Sequence, residues 1–183
     1  MTILVLDPVQ EALVQDASAG IPLAPRLDTL NGKTLGLWNN DKLNAGKLLE
    51  LIRAELEKRY AFAVMRGLYD PGNLMPEDRW GAVEKCDAVI LANGDCGACS
   101  TSGIVNAIEL EKRGIPTLLV STPPFTEAVR TSAALRGMPA IRWAVVDHPV
   151  ASLGEDDLRR RAISAASQFS DFVLSPAAKR TAA

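Results

Sequence analysis

Four apolar residues, Ala88-Val89-Ile90-Leu91, run into a turn of small residues and then into a segment with helical spacing, Ile104 to Arg113. Strand, glycine-bearing turn and helix in that order make half of a crossover unit. A chain that repeats this unit is driven toward a parallel sheet covered on both faces. The unit does repeat. Residues 33–38, 61–67, 87–92, 117–121 and 141–147 read as strands, while 45–60, 76–85, 127–136 and 153–172 read as further helices. In the first of those helices Leu48, Leu49, Ile52 and Leu56 fall on one face. Asn31-Gly32 and Asp70-Pro71-Gly72-Asn73 mark turns, and Gly114-Ile115-Pro116 and Gly137-Met138-Pro139 stop helices.

Right-handed crossovers leave few arrangements of five strands. The expectation is a doubly wound, mostly parallel α/β sheet of flavodoxin/Rossmann-like type, in the order 2-1-3-4-5. With 183 residues the chain suits one α/β domain over 33–175, with an N-terminal arm (1–32) and a frayed tail (176–183). The arm has one apolar run, Ile3 to Leu6, followed by Pro8, Pro22 and Pro25 among small residues. Too apolar-poor to fold alone, it is expected to lie across the domain or a second subunit, which makes a homodimer the expected assembly.

A net charge of −2 excludes an electrostatic footprint for nucleic acid. No apolar run approaches the roughly 18–20 residues of a spanning helix, so no membrane partner is expected. The first residues lack the basic and long apolar regions of a signal peptide, and a cytoplasmic, reducing location is expected. Three cysteines, Cys86, Cys96 and Cys99, are too few for a disulfide scaffold.

In such a sheet, ligands bind beyond the C-terminal strand ends, between the first and third strands. The loops meeting there are 39–44 and 93–102, which sets Asn40, Lys42 and Asn44 opposite Cys96 and Cys99. Phe125, after Thr122-Pro123-Pro124, and His148 form a flank. A helix start favours an anion, and a thiolate there ionises at roughly 3.5–7.5.

The Cys-x-x-Cys pair has three readings. As a redox pair, one thiolate attacks and the other resolves the mixed disulfide. As half a zinc site, it would need Cys86 and His148, and Cys86 sits at the wrong end of its strand, so no metal is expected. The bland reading is two small residues filling a tight turn. Asp95 would raise a neighbouring thiol's pKa, accept a proton, or hold the loop as an Asx turn. Ser100, Thr101 and Ser102 read as helix caps, with a hydroxyl also able to steady a thiolate. Lys42 is either a carboxylate binder or a solvated cation. His148, the single histidine, is either a general acid or base or a hydrogen-bonded structural residue. Gly94, Gly97 and Gly103 fit neither the dinucleotide fingerprint nor the P-loop spacing, so no nucleotide cofactor is expected. Trp38, Trp80 and Trp143 read as core or interface residues, and Cys86 as a buried small hydrophobe.

Gly94-Asp95-Cys96-Gly97-Ala98-Cys99-Ser100 resembles the loop of a family named for its U-G-S-C motif, in which U is selenocysteine or cysteine. Ala98 stands where that motif has serine. The resemblance extends through Leu110 to Thr117, Asn40 to Ala45 and His148-Pro149, covering about residues 23–149. More distantly, the loop is similar to the selenocysteine loop of glycine, sarcosine and betaine reductases. The resemblance implies a chalcogen nucleophile at Cys96 with Cys99 as resolving thiol, and names no substrate.

The expected function is therefore a thiol-dependent, oxidoreductase-like enzyme for a small polar substrate. Cys96 and Cys99 would do the chemistry, with Asp95 and His148 as further catalytic groups. Asn40, Lys42, Asn44, Gly97, Ser100, Thr101 and Phe125 would bind substrate, and a thiol or protein would donate electrons. Two rivals stay open: a non-redox cysteine lyase, hydrolase or racemase, and a non-enzymatic binding subunit suggested by the arm and an exposed-looking Trp80.

Overall fold

The computed structural model describes residues 20–176. Most of the expected arm (1–19) and tail (177–183) lies outside the described residues. Five strands alternate with helices: β1 (Thr34–Asn39), α1 (Ala45–Leu56), β2 (Ala63–Leu68), α2 (Glu77–Val83), β3 (Ala88–Gly94), α3 (Gly97–Lys112), β4 (Thr117–Ser121), α4 (Thr126–Leu135), β5 (Trp143–Val145) and α5 (Glu155–Val173). A short 3-10 turn, Pro123–Phe125, precedes α4.

All pairings are parallel and the order is β2-β1-β3-β4-β5. This is the doubly wound flavodoxin-like sheet expected from the repeated strand–helix units. Every residue of β3, the central strand, is buried, as its unbroken apolar run requires. One core lies under α1 and α5, where Leu48, Ile52, Ala162 and Phe169 meet Leu37, Ile90 and Val120. The other lies under α2, α3 and α4, where Trp80, Ile104, Ile108 and Val129 meet Trp38, Leu91 and Leu119. Edge strand β2 brings Gly67 against the Trp38 indole, which occupies the space a Cβ would need.

Residues 20–32 cross the end of the domain opposite the cysteine loop's strand ends. Buried Glu111 of α3 holds them, accepting from Ala24 N (2.7 Å), the Arg26 guanidinium (2.6 Å) and Thr117 N (2.9 Å). Leu27 also bridges to Leu174 after α5.

Several boundaries depart from the sequence reading. α1 stops at Leu56 rather than 60, because Lys58 and Arg59 donate to the carbonyls three residues back, tightening the last turn. β5 spans three residues rather than seven, because β4 ends at Ser121, paired with Val145, before Thr122 turns away. α3 begins at Gly97, seven residues before the expected start at Ile104, so Ser100, Thr101 and Ser102 are helical residues and not caps. Their hydroxyls donate back to Gly94 O, Gly97 O and Cys99 O. Trp80 is 2% exposed, with the Arg113 guanidinium stacked over its ring, which removes the exposed aromatic invoked for a binding subunit.

Candidate active site

Cys96 is itself the N-cap of α3. Its backbone is extended, and its sulfur accepts the N–H of Cys99 at 3.2 Å, taking the place of the usual cap oxygen. The cap sets the two cysteines one helical turn apart, with Cα atoms separated by 5.2 Å, and they are joined as a disulfide. Their exposures differ: Cys96 is half-buried, whereas Cys99 is 2% exposed. Gly97 and Ala98 between them are exposed.

Behind the pair, Gly94 O collects three hydroxyls: Ser100 Oγ at 2.9 Å, Ser121 Oγ at 3.1 Å and Thr122 Oγ1 at 3.3 Å. A Cβ at position 94 would lie 2.7 Å from Ser121 Oγ and 2.8 Å from Ser100 Oγ, so glycine is needed there for space. Ser100 is therefore turned inward onto the end of β3. Thr101 is exposed, and its hydroxyl donates back to Gly97 O within the helix.

Asp95 precedes the cap residue and its side chain is 7% exposed. Oδ2 accepts the N–H groups of Val150 (2.9 Å) and Ala151 (2.8 Å), tying the loop after β5 to the cysteine loop. Oδ1 lies 2.9 Å from His148 Nδ1, at ion-pair distance though without hydrogen-bond alignment. The same Nδ1 is 3.2 Å from Thr122 Oγ1. Nδ1 thus sits between a carboxylate and a hydroxyl, and the ring, 42% exposed, meets Phe125 edge-on at 6.0 Å between centroids.

On the opposite wall, Asn40 and Asn93 pair across the β1/β3 crevice. Asn40 Nδ2 donates to Asn93 O at 2.9 Å, and Asn93 N donates to Asn40 Oδ1 at 3.2 Å. Asn44, at φ 65°, precedes α1 and donates its amide to the carbonyls of Val150, Ala151 and Leu153 at 2.9–3.1 Å. The side chains of Asn40 and Asn44 are thus occupied in holding loops. Lys42 between them is exposed, and its ammonium has no partner among the described residues. The loops bearing Asn40, Cys96 and His148 are cross-linked into one frame, with the disulfide on its rim.

Cys86 lies at the far end of β3, buried and free, and burial pushes its thiol up to about 11. No group of three metal-ligating side chains occurs among the described residues. None of their helices is long and apolar enough to cross a membrane. Three contributors were not singled out from sequence: Ser121, Asn93 and the Asn44 clamp on the 150–153 loop. Only the strand ends that carry the first two gave any signal.

Among solved structures, the flavodoxin-like domain of a Synechococcus sp. protein is similar to this chain. The two are 12% identical with a TM-score of 0.39, over 75% of this chain and 95% of that one. None of the curated proteins compared matches. The model of the UGSC family matches residues 4–175, taking in the arm, the cysteine loop and the whole sheet. The chain therefore belongs to the UGSC family.

Proposed function

We propose that this protein is a cysteine-dependent oxidoreductase acting on a small polar disulfide, with Cys96 as nucleophile and Cys99 as resolving thiol. One observation carries the reading: two cysteines at disulfide distance on the first turn of α3, the first accessible and the second buried. An attacking sulfur has to meet substrate, and a resolving sulfur has only to reach its neighbour.

The steps balance. The Cys96 thiolate attacks one sulfur of the substrate disulfide, forming a mixed disulfide and expelling the other half as a thiolate. Cys99, deprotonated, attacks Cys96 Sγ, forms the Cys96–Cys99 disulfide and expels the second half. The substrate gains two electrons and two protons, and a dithiol donor returns the protein to its reduced form. Nδ1 of His148 contacts Thr122 and faces the Asp95 carboxylate, which leaves Nε2 of the protonated ring to donate to a departing thiolate. Lys42 offers a cation to an anionic substrate group, and Phe125 an apolar wall. A reducing, cytoplasmic setting suits a cycle that starts from two thiols.

The test is turnover of a small organic disulfide by reduced enzyme with dithiothreitol as donor. Cys96→Ser should abolish turnover, and Cys99→Ser, reduced and then freed of dithiothreitol, should stall after one addition. Full turnover in both variants would falsify the reading.

A further inference from the structure

A cleft of about 330 Å³ opens beside the cysteine turn. It is lined by Ala98, Thr101, Ser102 and Val105 of α3, by residues 72–74 and by Arg136 at the end of α4. Its size falls within the range of small-molecule sites, and its lining follows their pattern of apolar wall, a few polar groups and one charge. The wall is fixed in advance. Buried Asn106 accepts from Met75 N at 2.8 Å and donates to Asn73 O at 3.0 Å and Ser102 O at 2.9 Å, pinning the 73–75 loop to α3. Leu74 is 45% exposed at the rim. Arg136 is exposed, and its guanidinium has no carboxylate partner among the described residues.

Ala98 lies between the two cysteines in sequence, so the lining of the cleft begins on the same helical turn as the disulfide. Along α3 the lining runs from Ala98 to Val105, roughly 10 Å at 1.5 Å per residue. A Cβ on Gly97 would touch nothing within 4 Å, so no side chain crowds the turn beside Cys96.

We infer that this cleft is the substrate subsite and that Arg136 sets its specificity. The substrate is then a low-molecular-weight disulfide carrying a carboxylate about one tripeptide length from its sulfur. The carboxylate pairs with Arg136, the aliphatic part lies on Leu74 and Val105, and the sulfur meets Cys96 past Ala98. The assignment rests on the thiol–disulfide reading above. A guanidinium suits a carboxylate because its planar fork can donate two parallel hydrogen bonds.

Oxidised glutathione is the acidic probe, and cystamine, which carries ammonium groups and no carboxylate, is the comparator. Reduced wild-type protein should prefer oxidised glutathione. Arg136→Gln should raise KM for it roughly tenfold with kcat unchanged, and leave cystamine turnover as it was. Arg136→Lys should restore part of the preference. An unchanged preference in Arg136→Gln overturns the subsite while leaving the thiol chemistry standing. Binding to the oxidised protein, read by amide NMR shifts at Ala98, Thr101 and Val105, separates the two readings. Shifts that weaken in Arg136→Gln support the cleft even if neither disulfide is turned over, a result that would sink the exchange reading alone. No shifts at millimolar ligand overturn the cleft.

Discussion

Asp95 Oδ1 lies 2.9 Å from Nδ1 of His148, across the gap between the cysteine loop and the loop that follows β5. The other oxygen of the same carboxylate holds two backbone N–H groups of that loop. One side chain, adjacent in sequence to Cys96, therefore fixes both the histidine and the backbone beyond it. The charge, the hydrogen bonds and the nucleophile's position are not independent.

Substitution at Asp95 separates these roles. Asp95→Ala leaves Val150 N and Ala151 N without their acceptor and should cost about 2–6 kcal/mol, at roughly 1–3 kcal/mol for each unpaired group. Asp95→Asn keeps an acceptor and removes the charge, so it should cost less stability and mainly alter the pH profile of turnover. Urea unfolding and a pH–rate series read the two effects. Wild-type stability in Asp95→Ala would show that the carboxylate does not clamp the loop.

Asn44 offers a sharper electrostatic test. Its amide donates to three carbonyls from a left-handed backbone conformation. Asn44→Gly keeps that conformation and loses the donor, and should cost about 1–2 kcal/mol. Asn44→Asp sets a carboxylate against three carbonyl oxygens and should be clearly worse than glycine, although the side chain is nearly isosteric. Equal stability of the two variants, measured by thermal unfolding, would show that the amide contacts contribute nothing.

The pH dependence of stability has an identifiable contributor at Asp87, ahead of β3. The N–H of Thr34 at 2.8 Å, opposed by partial burial and aided by Lys33 at 3.1 Å, holds this carboxyl below its ordinary value. A depressed folded-state value means the contribution is complete above the unfolded carboxylate range, near pH 4, and is lost as pH falls through the folded value. The partial exposure of Asp87 keeps the effect under about 1 kcal/mol. The stability gap between wild type and Asp87→Asn should be present at pH 6 and shrink as the pH falls below the ordinary carboxylate value of about 4. A gap that widens on acidification would reverse the sign.

The sheet was legible because its strands are apolar runs and its helices have apolar residues at helical spacing, two periods that do not mimic each other. β3 shows this best: Ala88 to Leu91 can be buried on both faces only in a central strand. The start of α3 was not legible in the same way. The usual cap oxygens come from serine, threonine, aspartate and asparagine, so Ser100 and Thr101 draw the reading toward themselves, while the cap is a cysteine sulfur four residues before Ser100. Gly97, a poor helix former, hides the helix further. Asn40 and Asn44 were placed at the crevice by topology alone. Their hydrogen bonds depend on carbonyls 53 and more than 100 residues away, which local pattern cannot reveal.

Cys86 serves as an internal control. Buried and shifted up to about 11, it should resist iodoacetamide at pH 8 in the folded protein and react once urea unfolds it. Fast labelling of folded Cys96→Ser/Cys99→Ser protein at pH 8 would contradict that burial.

The most direct measurement is to trap the mixed disulfide. Reduced Cys99→Ser protein, mixed with a small disulfide and analysed by mass spectrometry, should accumulate one adduct on Cys96. Reduced Cys96→Ser protein should form none on Cys99, and wild type should pass to the Cys96–Cys99 disulfide without a lasting adduct. An adduct forming on Cys99 as fast as on Cys96, or none on Cys96, would contradict the account.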